Sequence, residues 1–187
     1  MDKSARRREC FDRIKALASE EKAAASARIR EWLADFPLFR EANTVFTYAA
    51  LPGEPDPGAL LRDFPEKTWA FPRVGKDDRL AFYEVRSEER LHRGALGISE
   101  PTPLPGRLLA PGAADLVLVP GVGFDPVSRI RLGRGKGHYD RYLSLVREQN
   151  PTATFVGVLF SVQLFPLRPE AHDIPMHRLL SEKGWIE

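Results

Sequence analysis

The chain has 187 residues, 43% of them hydrophobic and 29% charged, which suits one domain able to bury a sizeable core. A formal net charge of +2 is too small to argue for nucleic acid as a partner, whereas a pI near 8.8 with local basic clusters suits small anions. The one cysteine, Cys10, excludes an intrachain disulfide and a cysteine-based metal cluster, so a cytoplasmic compartment is expected. No apolar run approaches the roughly eighteen residues that a membrane helix needs.

In chain order, the basic N-terminus is interrupted by Asp2, Glu9, Asp12, Glu20 and Glu21, which argues for an ordinary helix rather than a transit peptide. Ile14, Leu17 and Ala18, then Ile29, Trp32, Leu33 and Phe36, recur at helical spacing, so one or two amphipathic helices are expected from about Ser4 to Asp35, ended by Pro37. Strand candidates are Thr44 to Ala49, Thr68 to Phe71, Leu80 to Val85, Leu116 to Val119 and Thr154 to Phe160. The runs TVFTYA, LVLV and TFVGVLF lack polar alternation and read as strands buried on both faces, as in a parallel sheet covered by helices. GKDDR suggests a hairpin turn, and the proline-rich stretch Glu100 to Gly112 a loop.

The stretch from Leu116 to Leu143 carries most of the chemistry. A strand runs into a loop with alternate glycines, Gly133, Gly135 and Gly137, and then a helix, with Arg131, Arg134 and Lys136 between and beside them. Backbone N–H groups and cations at such a junction are aimed at an anion, and a nucleotide polyphosphate is the expected one. The Walker pattern fails because Gly137, not Ser or Thr, follows Lys136. The dinucleotide pattern fails because the spacing is GxGxG and Glu148 and Glu170 lie at the wrong places. Ligands of open α/β sheets gather beyond the carboxyl ends of strands, so Glu54 and the glycine loop, each following a central strand, are expected to converge.

Pro120, Gly121, Phe124, Asp125, Arg131, Leu132, Gly133, Gly135, Gly137, Tyr139, Asp140 and Arg141 fall on the pattern PGxxFDxxGxRLGxGxGYYDR, which the chain shares with the 5-formyltetrahydrofolate cyclo-ligase family. The resemblance extends to Lys3 and Arg7, to Glu54 in LPGEPD, to a GIxEP element at Gly97 to Pro101, and to His172 and Asp173. Two positions depart from it: one extra residue stands between Asp125 and Arg131, with Ser128 or Arg129 at the turn-glycine position, and His138 replaces the first Tyr.

The resemblance implies a single three-layer α/β/α domain with a central mostly parallel sheet, covering residues 1–187 and acting as a monomer. It implies ATP- and Mg²⁺-dependent conversion of 5-formyltetrahydrofolate into 5,10-methenyltetrahydrofolate, with Arg134 and Lys136 as catalytic cations. Nucleotide contacts are then expected from Lys3, Arg7, Arg131, Leu132, Gly133, Arg134, Gly135, Lys136, Gly137, His138 and Tyr139. Folate contacts fall to Ala49, Glu54, Arg134, Gly135, Lys136, Gly137 and His138, and Mg²⁺ to Asp140 and Asp173. An amide-like formyl oxygen leaves poorly, so the chemistry calls for its phosphorylation, which needs positioning and charge neutralisation but no protein nucleophile.

Each role has a plainer counterpart. Lys136 and Asp140 are spaced for a helical ion pair. Arg131 could pair with Asp125, Asp140 could be a first-turn acid, Asp173 a capping or loop acid and Glu54 an exposed turn acid. Tyr139 could belong to the core, Lys3 and Arg7 to a solvated face with Arg6 and Arg8, and His138 to a turn cap. At the level of the whole chain, a non-catalytic nucleotide-binding protein and an ATP-dependent kinase or ligase for another substrate are the two alternatives.

Overall fold

The strand Leu116–Val119 is buried at all four positions, and its side chains divide between two cores. Leu116 and Leu118 point to one face, Val117 and Val119 to the other, as the period of two along a strand requires. This explains the absence of polar alternation. The computed structural model describes residues 3–86, 91–94 and 99–186.

Helices α1 (Lys3–Ala16), α2 (Ser19–Asp35) and α3 (Pro37–Glu41) precede strand β1 (Thr44–Phe46). The chain continues through α4 (Leu60–Asp63), β2 (Thr68–Val74), β3 (Leu80–Glu84), β4 (Leu91–Arg93), β5 (Ser99–Pro101) and β6 (Leu108–Leu109). Then follow β7 (Leu116–Val119), β8 (Gly123–Phe124), β9 (Arg131–Leu132), α5 (His138–Gln149), β10 (Thr154–Val158), β11 (Arg178–Ser181) and β12 (Gly184–Ile186). An eight-stranded sheet has the order β12-β11-β10-β7-β1-β2-β3-β6. Its centre, from β11 to β2, is parallel, while β12, β3 and β6 add antiparallel edges. On one face Ile29, Leu33 and Phe39 from α2 and α3 pack on Val45, Trp69, Leu118 and Val158. On the other, Tyr142, Leu143 and Val146 of α5 cover Phe46, Phe82, Val117 and Phe155. The expected three-layer domain with a mostly parallel sheet is therefore present.

The N-terminal helical stretch is two helices because Ala18 adopts an extended backbone (ψ 158°), its N–H held by the Glu21 carboxylate at 2.7 Å. Pro37 starts α3 rather than merely ending α2. Its ring forces Phe36 into an extended conformation (ψ 121°) and then serves as a first helical residue, where no N–H is required. The proline-rich stretch is not wholly a loop: it contributes the end of β5 and the edge strand β6. Gly97 and Ile98 of the GIxEP element lie outside the described residues.

The parallel centre of the sheet positions the site. β1 and β7 are neighbours running in the same direction, so the turn at Leu51–Glu54 and the chain from Pro120 onward leave the same end of the sheet. Helix α1 lies across that end. Its Cys10 thiol donates to the Val122 carbonyl at 2.7 Å and packs with Leu132 and Phe165 against the small β8–β9 ribbon that carries the glycine loop.

Candidate active site

The Asp125–Arg131 connection resolves the departure from the family pattern. The Asp125 carboxylate accepts hydrogen bonds from the Val127 and Ser128 N–H groups (2.9 and 2.6 Å), the Ser128 hydroxyl (2.9 Å) and the Leu167 N–H (2.7 Å). Burial raises its pKa, but these four donors outweigh burial and hold the carboxyl below the ordinary value. Arg129, not Ser128, occupies the left-handed position, with φ 56°. The extra residue is thus taken up within a tightly capped turn, and Arg131 leaves it in position to face the loop. Arg131 pairs with Asp140 at 2.9 Å rather than with Asp125, and its guanidinium lies 5.2 Å from the Tyr139 ring centroid.

Beyond Arg131 the chain bounds an open cavity of about 800 Å³ lined by Lys3, Arg7, Arg131, Leu132, Gly133, Gly135, Lys136, Gly137, Asp140, Arg141, Glu170, His172 and Asp173. With Arg147, which also lines it, six Lys and Arg side chains face three carboxylates, so the lining carries a net positive charge that suits an anion. Gly137 caps α5 with φ 65°, a conformation that suits a residue lacking Cβ and turns the first N–H groups of that helix outward. Gly133 does not need positive φ; there the requirement is space, because a Cβ would stand 2.6 Å from the Arg131 guanidinium. Arg7 donates to the Gly133 carbonyl at 2.8 Å, so α1 holds the loop directly and is not a solvated face. Lys3 reaches Glu170 (3.0 Å) and Asp173 (3.5 Å).

Asp140 and Asp173, far apart in sequence, line the same cavity. One oxygen of Asp140 is bound to Arg131 and the other is buried with no partner. Asp173 caps its own turn, accepting the Glu170 N–H at 2.8 Å. Among the described residues no group of three or more His, Cys, Asp and Glu side chains is spaced to hold a metal. Two carboxylates facing an anion cavity nevertheless fit Mg²⁺, which characteristically takes one or two protein carboxylates and completes its shell with water and phosphate oxygens.

The loop has a second side. Arg134 does not line the cavity: it is bound to Glu54 at 3.1 Å and lies 5.5 Å from the Phe11 ring centroid. Glu54 is held by its own turn, its second oxygen accepting the Leu51 N–H at 3.0 Å. Gly53, with φ 95°, lets Ile14 of α1 pack close to that turn. The convergence of Glu54 with the glycine loop is therefore direct contact. Ala49 packs at the edge of the core just after β1, near but not within this pair. The Tyr139 hydroxyl is buried without a partner; burial and then the Glu54 charge push its pKa upward.

His138 opens α5 and hydrogen-bonds Asp78 at 3.0 Å. Asp78 sits at the tip of the β2–β3 hairpin with φ 58° and also approaches Lys136 (4.0 Å) and Arg141 (3.9 Å). Lys136 makes this longer contact instead of a helical pair with Asp140. The hairpin is legible in the sequence, but its docking on the loop is not, nor is the placement of Phe11 and Asp78 beside that loop. The one available signal was an aspartate in a glycine-led turn, a common surface feature.

A mostly parallel sheet covered on both faces, with a glycine-rich, cation-lined cavity beyond its strand ends, defines an α/β protein with its candidate site where such sheets gather ligands. Residues 1–182 match the 5-formyltetrahydrofolate cyclo-ligase family. Among curated relatives, the 5-formyltetrahydrofolate cyclo-ligase of Mus musculus is 26% identical, covering 94% of this chain and 91% of the relative. That of Mycolicibacterium smegmatis is 31% identical, covering 84% and 82%. The solved structure of Aquifex aeolicus 5,10-methenyltetrahydrofolate synthetase superposes with a TM-score of 0.84 at 36% identity, covering 99% of this chain and 92% of that one. The chain belongs to the 5-formyltetrahydrofolate cyclo-ligase family.

Proposed function

We propose that the chain converts 5-formyltetrahydrofolate into 5,10-methenyltetrahydrofolate, consuming ATP and releasing ADP and phosphate. The observation that carries this reading is the two-sidedness of the glycine loop. Gly133, Gly135, Lys136 and Gly137 border a cation-lined cavity suited to a triphosphate, while Arg134 between them reaches Glu54 on the other side. Two ligands bound on these two sides would meet at the loop.

In this reading Lys3, Arg7, Arg131 and Lys136 hold the nucleotide, and Glu54 accepts N–H donors of the pterin. The formyl oxygen attacks the γ-phosphorus and ADP leaves. The neighbouring folate amine then attacks the formyl carbon and gives up its proton, and the C–O bond breaks with its electrons departing on phosphate, which closes the ring. Lys136 and Arg134 neutralise charge growing on the transferred phosphoryl oxygens. Asp140 and Asp173 would hold Mg²⁺, whose contribution when bound is further neutralisation of the phosphates.

The reading is tested by adding 5-formyltetrahydrofolate and Mg²⁺ to the protein and following methenyltetrahydrofolate absorbance with and without ATP. ATP-dependent growth of that absorbance supports it. ATP binding without folate-dependent ADP release would favour a non-catalytic nucleotide-binding protein, and ADP release with another acceptor a different kinase or ligase.

A further inference from the structure

Residues Arg7, Phe11 and Ile14 occupy one face of α1 at i, i+4 and i+7. Arg7 is fixed to the Gly133 carbonyl and Ile14 is buried near the Glu54 turn, yet Phe11 between them is 41% exposed. An aromatic ring on an inward-facing row is thus left uncovered by the protein itself. What lies against it is the Arg134 guanidinium, 5.5 Å from the ring centroid, which also donates to Glu54 at 3.1 Å.

A guanidinium is flat and carries N–H donors along its edge, so it can stack on an aromatic face while bonding a carboxylate. The 2-amino-4-oxopyrimidine ring of a pterin contains the same N–C(NH₂)–N unit within a flat ring. We propose that Phe11 and Glu54 form the recognition site for this guanidine-like edge of the folate, and that Arg134 occupies the site until folate displaces it. Displacement frees Arg134 for the phosphoryl oxygens on the other side of the loop, so folate binding supplies a cation to the reaction centre. The assignment rests on the function proposed above and adds a stacking residue and a reason for Arg134 to lie between the two ligands.

Calorimetric titration of 5-formyltetrahydrofolate, without ATP, into the wild type and three variants tests it. Phe11→Ala weakens folate binding on the order of tenfold, as loss of a stacking face does. Phe11→Leu weakens it similarly, since it keeps apolar bulk without a flat face, whereas Phe11→Tyr preserves it. Arg134→Ala strengthens folate binding roughly two- to fivefold, because the half-exposed cation that competes for the Glu54 carboxylate is removed. ATP affinity and thermal midpoint in the Phe11 variants stay close to wild type.

Folate binding by the wild type with no loss in Phe11→Ala, or weaker folate binding in Arg134→Ala, would overturn the inference while leaving the proposed function standing. Equal loss of ATP and folate affinity in Phe11→Ala would also overturn it, by showing that α1 had moved. No folate binding by the wild type would remove the proposed function and this inference together.

Discussion

Arg131 donates to Asp140 at 2.9 Å across the base of the glycine loop, joining strand β9 to the first turn of α5, with the two side chains only 6% and 14% exposed. One oxygen of Asp140 neutralises a buried guanidinium, and the other is buried without a hydrogen-bond partner. Asp140→Asn should raise the Mg²⁺ concentration needed for ADP release and also lower stability by about 2 to 4 kcal/mol, because a buried cation loses its counter-charge. Asp173→Asn should raise the Mg²⁺ requirement with a much smaller stability loss, since an amide oxygen still accepts the Glu170 N–H. Mg²⁺ titrations alongside urea unfolding separate the two effects. If neither titration moves, both acids are structural.

Lys136 is largely exposed and its longest-range partner, Asp78, stands 4.0 Å away, so it has little structural work in the free protein. Lys136→Ala should leave unfolding unchanged and reduce kcat/KM for ATP by about 2 to 4 kcal/mol in transition-state stabilisation. Arg134→Ala should cause a loss of the same order through its role at the phosphoryl group. Steady-state kinetics with ATP varied would show it, and unchanged values in both variants would contradict the phosphate assignment.

Glu54 contacts the Leu51 N–H and Arg134, but no residue that lines the anion cavity. Glu54→Gln keeps the volume and loses a charged acceptor, so folate affinity should fall by about 1.5 to 3 kcal/mol while ATP affinity barely changes. Separate calorimetric titrations of the two ligands compare these losses. Equal losses, or none for folate, would return Glu54 to the role of a turn residue.

Asp125, buried and bound by four donors, links stability to pH. Its folded pKa is depressed, so its contribution is complete above the unfolded carboxylate value of about 3.9 and is lost as pH falls through the lower folded value. Asp125→Asn should cost about 2 to 3 kcal/mol at neutral pH, because an amide nitrogen would face an N–H donor. The difference from wild type should shrink below about pH 4. Urea unfolding across that range measures it, and a pH-independent gap would mean that shape rather than charge holds the turn.

The parts legible in the sequence were those where one local rule dominates. LVLV reads as a doubly buried strand because both faces of its pleat need apolar groups, and the glycine loop stands out because alternate glycines and cations between a strand and a helix suit an anion. The C-terminal strands β11 and β12 escaped notice since RLLS and GWI are short and flanked by charge, and only the neighbouring β10 makes them strands. The Arg131–Asp140 pair could not be chosen over Arg131–Asp125 from spacing, because the choice depends on Asp125 being consumed by its own turn. Arg134 read as one more phosphate cation, and its turn toward Glu54 and Phe11 follows from α1 lying across the strand ends, a tertiary fact.

If the glycine loop joins a nucleotide to a folate, the stoichiometry of one reaction must show it. With limiting 5-formyltetrahydrofolate and excess ATP and Mg²⁺, ADP and methenyltetrahydrofolate should appear together in equal amounts, and neither should form when folate or ATP is omitted. Methenyltetrahydrofolate without ADP, or ADP at the same rate without folate, would contradict the account.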